Sequence, residues 1–85
     1  MKYLNIPVKV SAIFPEDGKF YPKNFIYKDI YTVTKVKNTW VKNNWQHGKE
    51  YHFEVQAEGR RNTSDERICH LCFVSGKNIW ILVKF

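Results

Sequence analysis

The run Cys69-His70-Leu71-Cys72 places two thiols three positions apart, a spacing shared by zinc ribbons and thiol redox sites. A structural zinc site takes four thiolate or imidazole ligands, usually as two such pairs, and the chain has two cysteines in all. A redox pair needs its attacking thiol at a helix N-terminus, where the dipole favours the thiolate. Here the motif lies in a run of apolar residues at every second position, so it reads as a strand and its two sulfurs diverge to opposite faces. Cys69 then reads as a small core residue. The strand reading brings a different set together. If the polar loop at 59–66 folds its flanking strands symmetrically, His52 lies opposite Cys72 and Glu54 opposite His70. His52, Glu54, His70 and Cys72 would share the face away from the core, with opposed Cβ atoms about 5 Å apart. Two imidazoles, a carboxylate and a thiol suit a transition metal. A register slip of one residue would scatter them, and exposed strand positions ordinarily hold such residues as solvated cross-strand pairs. The expectation is no cofactor and no bound metal, with these four as the candidate ligands if the register holds.

Other chemistry finds less support. Acid–base hydrolysis needs paired carboxylates in a cleft, one with a raised pKa. The eight acids instead fall in turns and loops (Glu16-Asp17, Asp29, Asp65-Glu66) or on a strand face (Glu50, Glu54, Glu58). Ser11, Ser64 and Ser75 have no histidine beside them in a plausible turn, and the four glycines are isolated turn residues rather than a phosphate-cradling loop. The sequence argues against an enzyme.

The elements that would position these residues are strands. Tyr51, Phe53, Val55 and Ala57 alternate with His52, Glu54, Gln56 and Glu58. A first strand covers about 4–14, where Pro7 argues for an edge or a bulge because it cannot donate to a ladder. Pro15-Glu16-Asp17-Gly18 reads as a turn. A short strand at 25–27 and a β-branched one at 30–37 follow; Tyr31 and Val33 share a face while Val36 takes the other, which a bulge would reconcile. The asparagine-rich stretch 38–48 turns at Asn43-Asn44 or forms a loop. Ser75-Gly76-Lys77-Asn78 suits a type II′ turn with Gly76 at its first central position. It would pair Phe73 with Trp80 and Leu71 with Leu82. No window holds a helical period with caps. Six short strands joined by turns predict an all-β, six-stranded antiparallel small barrel or curled sheet, in one domain spanning 1–85.

Eighty-five residues with six Phe, five Tyr and three Trp can build one core without staples. No apolar run reaches the roughly 20 residues that span a bilayer, and the N-terminus lacks a secretory signal's apolar stretch, so the expected location is cytoplasmic with reduced thiols. Nine lysines meet Glu16, Asp17 and Asp29 in residues 1–49, while five cations meet five anions from 50 onward. The whole formal charge of +6 thus lies in the first half.

Two binding surfaces follow. On the last strand, the face opposite Trp80 and Leu82 shows Ile79, Ile81, Val83 and Phe85. A strand apolar on both sides is covered on both, either by the Trp40 to Trp45 segment or by a partner. Trp40, Trp45, Ile79, Ile81, Val83 and Phe85 are therefore the candidate contacts for a protein partner or homodimer. The alternative is a sequence-tolerant nucleic-acid binder, with bases stacked on Tyr21, Tyr27, Tyr31, Trp40 or Trp45. Lys19, Lys23, Lys28, Lys35, Lys37 and Lys42 lie interleaved with those rings.

The run Val8-Lys9-Val10, Ala12 and Phe14, then Asp17-Gly18, Pro22, Phe25, Tyr27, Tyr31, Val33 and Val36 resembles short proteins of low-GC Gram-positive bacteria that form a domain of unknown function. Their aromatic-rich last strand is matched by Ile79-Trp80-Ile81-Leu82. The resemblance covers the first 40 residues and the last strand, leaves out 38–48, and implies the fold without implying an activity.

Overall fold

A computed structural model of the chain describes residues 2–14 and 19–85. Its six strands are β1 (Tyr3–Ile13), β2 (Tyr21–Ile26), β3 (Ile30–Asn44), β4 (Gly48–Gly59), β5 (Glu66–Val74) and β6 (Ile79–Lys84). Each pairs antiparallel with the next, and β6 pairs with β1 to close a barrel. The predicted turn at 15–18 lies outside the described residues. No helix among the described residues is long and apolar enough to cross a membrane.

The alternation in β4 and β5 sets the barrel wall. Phe53, Val55 and Ala57 face Leu71, Cys69 and Arg67, and Leu71 and Phe73 face Leu82 and Trp80. Phe25, Val55, Ala57, Cys69, Leu71 and Leu82 are fully buried. Even an eight-stranded barrel is only just wide enough for side chains to fill, so six strands leave no lumen for a ligand. Aromatic rings close both ends. At one, Phe20 lies between Tyr51, Phe53, Phe73 and Trp80, with centroids 5.1 to 6.1 Å away. At the other, Phe85 meets Tyr27 at 4.8 Å and Tyr31 at 5.1 Å, with the Arg67 guanidinium over its ring at 4.0 Å.

Bulges explain where simple alternation fails. The β3 register shifts between Val33 and Lys35 and again between Val36 and Asn38. The first extra residue keeps Val36 opposite Val55 on the inner face with Tyr31 and Val33, as the irregular pattern required, and the second shifts the register again for the residues from Asn38 onward. A bulge in β6 corrects the placement of Phe85. Leu82 pairs with Leu71 but Lys84 with His70, so Val83 is the extra residue and the alternation inverts after it. Lys84 turns outward, its ammonium 4.4 Å from the Tyr3 ring, and Phe85 turns into the barrel end. Phe85, half-buried, therefore packs against the core instead of lining the outer face with Ile79, Ile81 and Val83. Pro7 pairs with Ile81 on one side, while the ladder to β2 begins only at Lys9. It sits where β1 has a neighbour on one side, a place that tolerates a missing N–H.

Two turns differ from the sequence expectation. β3 runs through Asn43-Asn44, and the reversal is made by Trp45, Gln46 and His47. The Asn44 Oδ1 accepts from the backbone N–H of Gln46 at 3.0 Å and of His47 at 3.2 Å, and Gly48 takes the positive φ of 80° that three-residue hairpins use. In the β5–β6 turn the positive φ belongs to Asn78, not Gly76, so the turn is not type II′. Gly76 is needed for a different reason: a Cβ there would lie 2.0 Å from the His47 carbonyl oxygen.

Candidate functional site

The outer face of β3, β4, β5 and β6 carries one row of four residues: Trp40 opposite His52, His52 opposite Cys72, and Cys72 opposite Ile81. Outer positions of a sheet usually meet solvent, yet His52 is 7% exposed and Cys72 4%. The Trp40 indole provides the cover. It lies flat on the His52 ring, with centroids 5.3 Å apart and planes 2° from parallel, and its centroid is 5.1 Å from that of His70.

Beneath it runs a chain of polar contacts. His52 Nδ1 and His70 Nε2 share a hydrogen bond of 2.8 Å, His52 Nε2 lies 3.0 Å from Glu50 Oε1, and Cys72 Sγ lies 3.7 Å from His52 Nε2. An ionised carboxylate only accepts, so His52 Nε2 donates to Glu50; in a neutral imidazole the other nitrogen then accepts, so His70 Nε2 donates to His52 Nδ1. Asn44 Nδ2 donates to the second Glu50 oxygen at 2.8 Å. That bond first, and the one from His52 next, hold the Glu50 carboxyl below its usual range. Burial first, then His52, lowers His70. Burial pushes the Cys72 thiol up to about 11, and Cys69, in the core on the opposite face, up to about 12. Neither thiol is an activated nucleophile at neutral pH.

The expected register holds: His52 is opposite Cys72 and Glu54 opposite His70. The ligand set differs in two members: Glu50 stands in place of Glu54, and His70 is hydrogen-bonded to His52 rather than grouped with the three donors. The donor atoms of Glu50, His52 and Cys72 all lie within 4.8 Å of one another, so the carboxylate in this cluster is Glu50 rather than Glu54. Glu54 is one row away, beside His70. The signal for Glu50 was present in the alternation, since residues two apart on a strand share a face.

The partner-surface candidates divide. Trp45 is 92% exposed at the tip of the β3–β4 hairpin, whereas Trp40 is half-buried on His52. The stretch 40–45 does not fold over β6. It runs along β4, and β6 is flanked by β5 and β1. Ile79 is exposed and Ile81 and Val83 half-buried on the outer face of β6. A groove of about 420 Å³ opens beside them, lined by Pro7, Val8, Val10, Asn78, Ile79 and Trp80 among others, because the β1–β6 ladder ends at Val8 and Trp80.

The nucleic-acid candidates are less well assembled. Tyr31 is in the core at 6% exposure, Tyr27 packs on Phe85 and Trp40 on His52, which leaves Tyr21 and Trp45 with open faces. Lys19, Lys23, Lys28, Lys35, Lys37 and Lys42 are all exposed but spread over β2, β3 and the segments that precede and join them. Lys28 lies over the Tyr27 ring at 5.4 Å and Lys42 sits opposite Glu50.

Comparison of the chain with protein-family models, curated proteins and solved structures gave no match.

Proposed function

We propose that this barrel is a non-catalytic interaction module that associates with a second copy of itself. Trp45 is its anchor and the groove between β1 and β6 its seat. The observation that carries this reading is an almost fully exposed tryptophan on a turn tied by hydrogen bonds to the next hairpin tip. Besides the Asn44 contacts, the His47 carbonyl accepts from Gly76 N–H at 2.7 Å. Ser75 N–H donates to the Lys49 carbonyl at 2.9 Å, and Lys49 N–H to Ser75 Oγ at 2.9 Å. The two hairpin tips thus brace each other. Tryptophan is enriched among the residues that dominate binding energy, and an anchor already held in place avoids part of the ordering cost of association. Ile79 and the apolar wall of the groove supply the complementary recess.

Charge separates this reading from polyanion binding. Two copies at +6 repel, so added salt screens the repulsion and leaves apolar burial intact: the dimer tightens with salt. Nucleic-acid binding weakens with salt as counterions return to the phosphates. Sedimentation velocity of the wild type at low and high salt tests this. A dimer that strengthens with salt and is lost in Trp45→Ala is the expected result. A monomer at every salt concentration overturns it.

A further inference from the structure

From the outer-face cluster we infer a binding site for a borderline divalent metal ion of the zinc class, with Glu50 Oε1, His52 Nε2 and Cys72 Sγ as its three protein ligands. The geometry is close to what such an ion needs. With metal–nitrogen and metal–oxygen bonds near 2.1 Å and a metal–sulfur bond near 2.3 Å, tetrahedral ligand atoms sit about 3.4 to 3.6 Å apart. Here His52 Nε2 is 3.0 Å from the Glu50 oxygen and 3.7 Å from the Cys72 sulfur, and all three donors fall within 4.8 Å. Small side-chain rotations would complete the set. Three protein ligands leave a fourth position for a small ligand, the arrangement of open rather than closed zinc sites.

Two further contacts favour a site over a chance grouping. Metal-binding imidazoles and carboxylates are typically steered by a hydrogen bond at the atom facing away from the ion. His52 has such a partner in His70 on Nδ1, and Glu50 has one in Asn44 on Oε2. The His52–His70 bond also serves both states of the site. Without metal, His70 donates to His52 Nδ1 and His52 Nε2 donates to Glu50. With metal on Nε2, His52 carries its proton on Nδ1 and donates to His70 Nε2, while half-buried His70 takes up a proton on its Nδ1. The imidazole pair ends with as many protons as it began with, and the Cys72 thiol gives up one. Binding one ion therefore releases one proton. The Trp40 ring, flat against His52, shields the ligands on an otherwise solvated face.

Cobalt(II) is the probe, because thiolate coordination gives it a near-ultraviolet charge-transfer band and a tetrahedral site gives intense visible bands. Titration of the reduced protein is expected to produce both at one ion per chain, and zinc to displace the cobalt. Cys72→Ser should remove the charge-transfer band, Cys69→Ala should keep it, and His70→Ala should weaken binding by roughly 10–100-fold. Glu50→Gln, at a half-buried position, is the second variant, expected to weaken binding while the far-ultraviolet circular dichroism stays native. Absence of both bands and of metal retained through gel filtration would show that the cluster is a hydrogen-bonded ladder and nothing more. A charge-transfer band surviving in Cys72→Ser would equally overturn the assignment.

Discussion

The Tyr31 hydroxyl donates to Asp65 Oδ2 at 2.9 Å and ties the buried start of β3 to the loop before β5, a link between residues with no visible relation in sequence. That bond first, and Arg67 next, hold the Asp65 carboxyl below its ordinary value of 3.8. A depressed carboxyl adds stability above its unfolded value and loses it as pH falls through the folded one. Tyr31 is raised above 10.0, by burial first and then by Asp65, so its contribution is present below that value and lost as pH rises through the folded one. Tyr31→Phe is accordingly expected to lower the thermal midpoint at neutral pH, with the gap to wild type narrowing below about pH 4 as Asp65 protonates. A gap independent of pH would contradict the pairing. At the same scale, Gly76→Ala forces a methyl against the His47 carbonyl and should cost about 1–3 kcal/mol in urea unfolding, with an unchanged slope. An unchanged midpoint would mean the two tips do not brace each other. The opposition of His52 to Cys72 could be read from the sequence because the loop between their strands is symmetric about its centre. The Trp40 cover and the Asn44 hold on Glu50 could not, since they depend on β3 continuing through residues that read as a turn.

At the scale of elements, the period-two run in β4 was legible because apolar and polar residues alternate from Tyr51 to Glu58 without a break, and β5 keeps apolar residues at Cys69, Leu71 and Phe73. The ends of β3 and β6 were not, because each bulge inverts the face of everything beyond it, and nothing in Leu82-Val83-Lys84 marks the extra residue. The inversion matters for Phe85, whose ring meets Tyr27, Tyr31 and the Arg67 guanidinium while its backbone N–H donates to the Lys2 carbonyl at 2.9 Å. Phe85→Ala should therefore destabilise the barrel by about 2 kcal/mol or more, toward the range for truncating a buried ring. Ile79→Ala, on the outer face of the same strand, should change stability by no more than about 0.5 kcal/mol. Equal effects of the two in urea titrations would place both on the same face and refute the bulge. The hairpin turn was misplaced for a related reason. Asn44 does favour a turn, but as the residue whose side chain caps it, one step before the reversal at 45–47.

For the whole molecule, the six strands close into a barrel. Among the described residues the sheet closes without a long free edge, and the groove beside β6 lies where β1 and β6 part. The charge of +6 is spread over the lysines of β1, β2 and β3, the segments flanking them and Lys49 at the start of β4, while Tyr31 is in the core. Composition made the basic character legible but not its dispersal, which depends on the strand order. The same charge makes the salt dependence of association diagnostic. The most direct measurement is sedimentation velocity of the wild type and Trp45→Ala across a salt series, alone and with a labelled mixed-sequence oligonucleotide. The expected result is a wild-type dimer that tightens as salt rises, a monomeric Trp45→Ala, and indifference to the oligonucleotide. A monomer whose sedimentation shifts only with the oligonucleotide, and only at low salt, would contradict it.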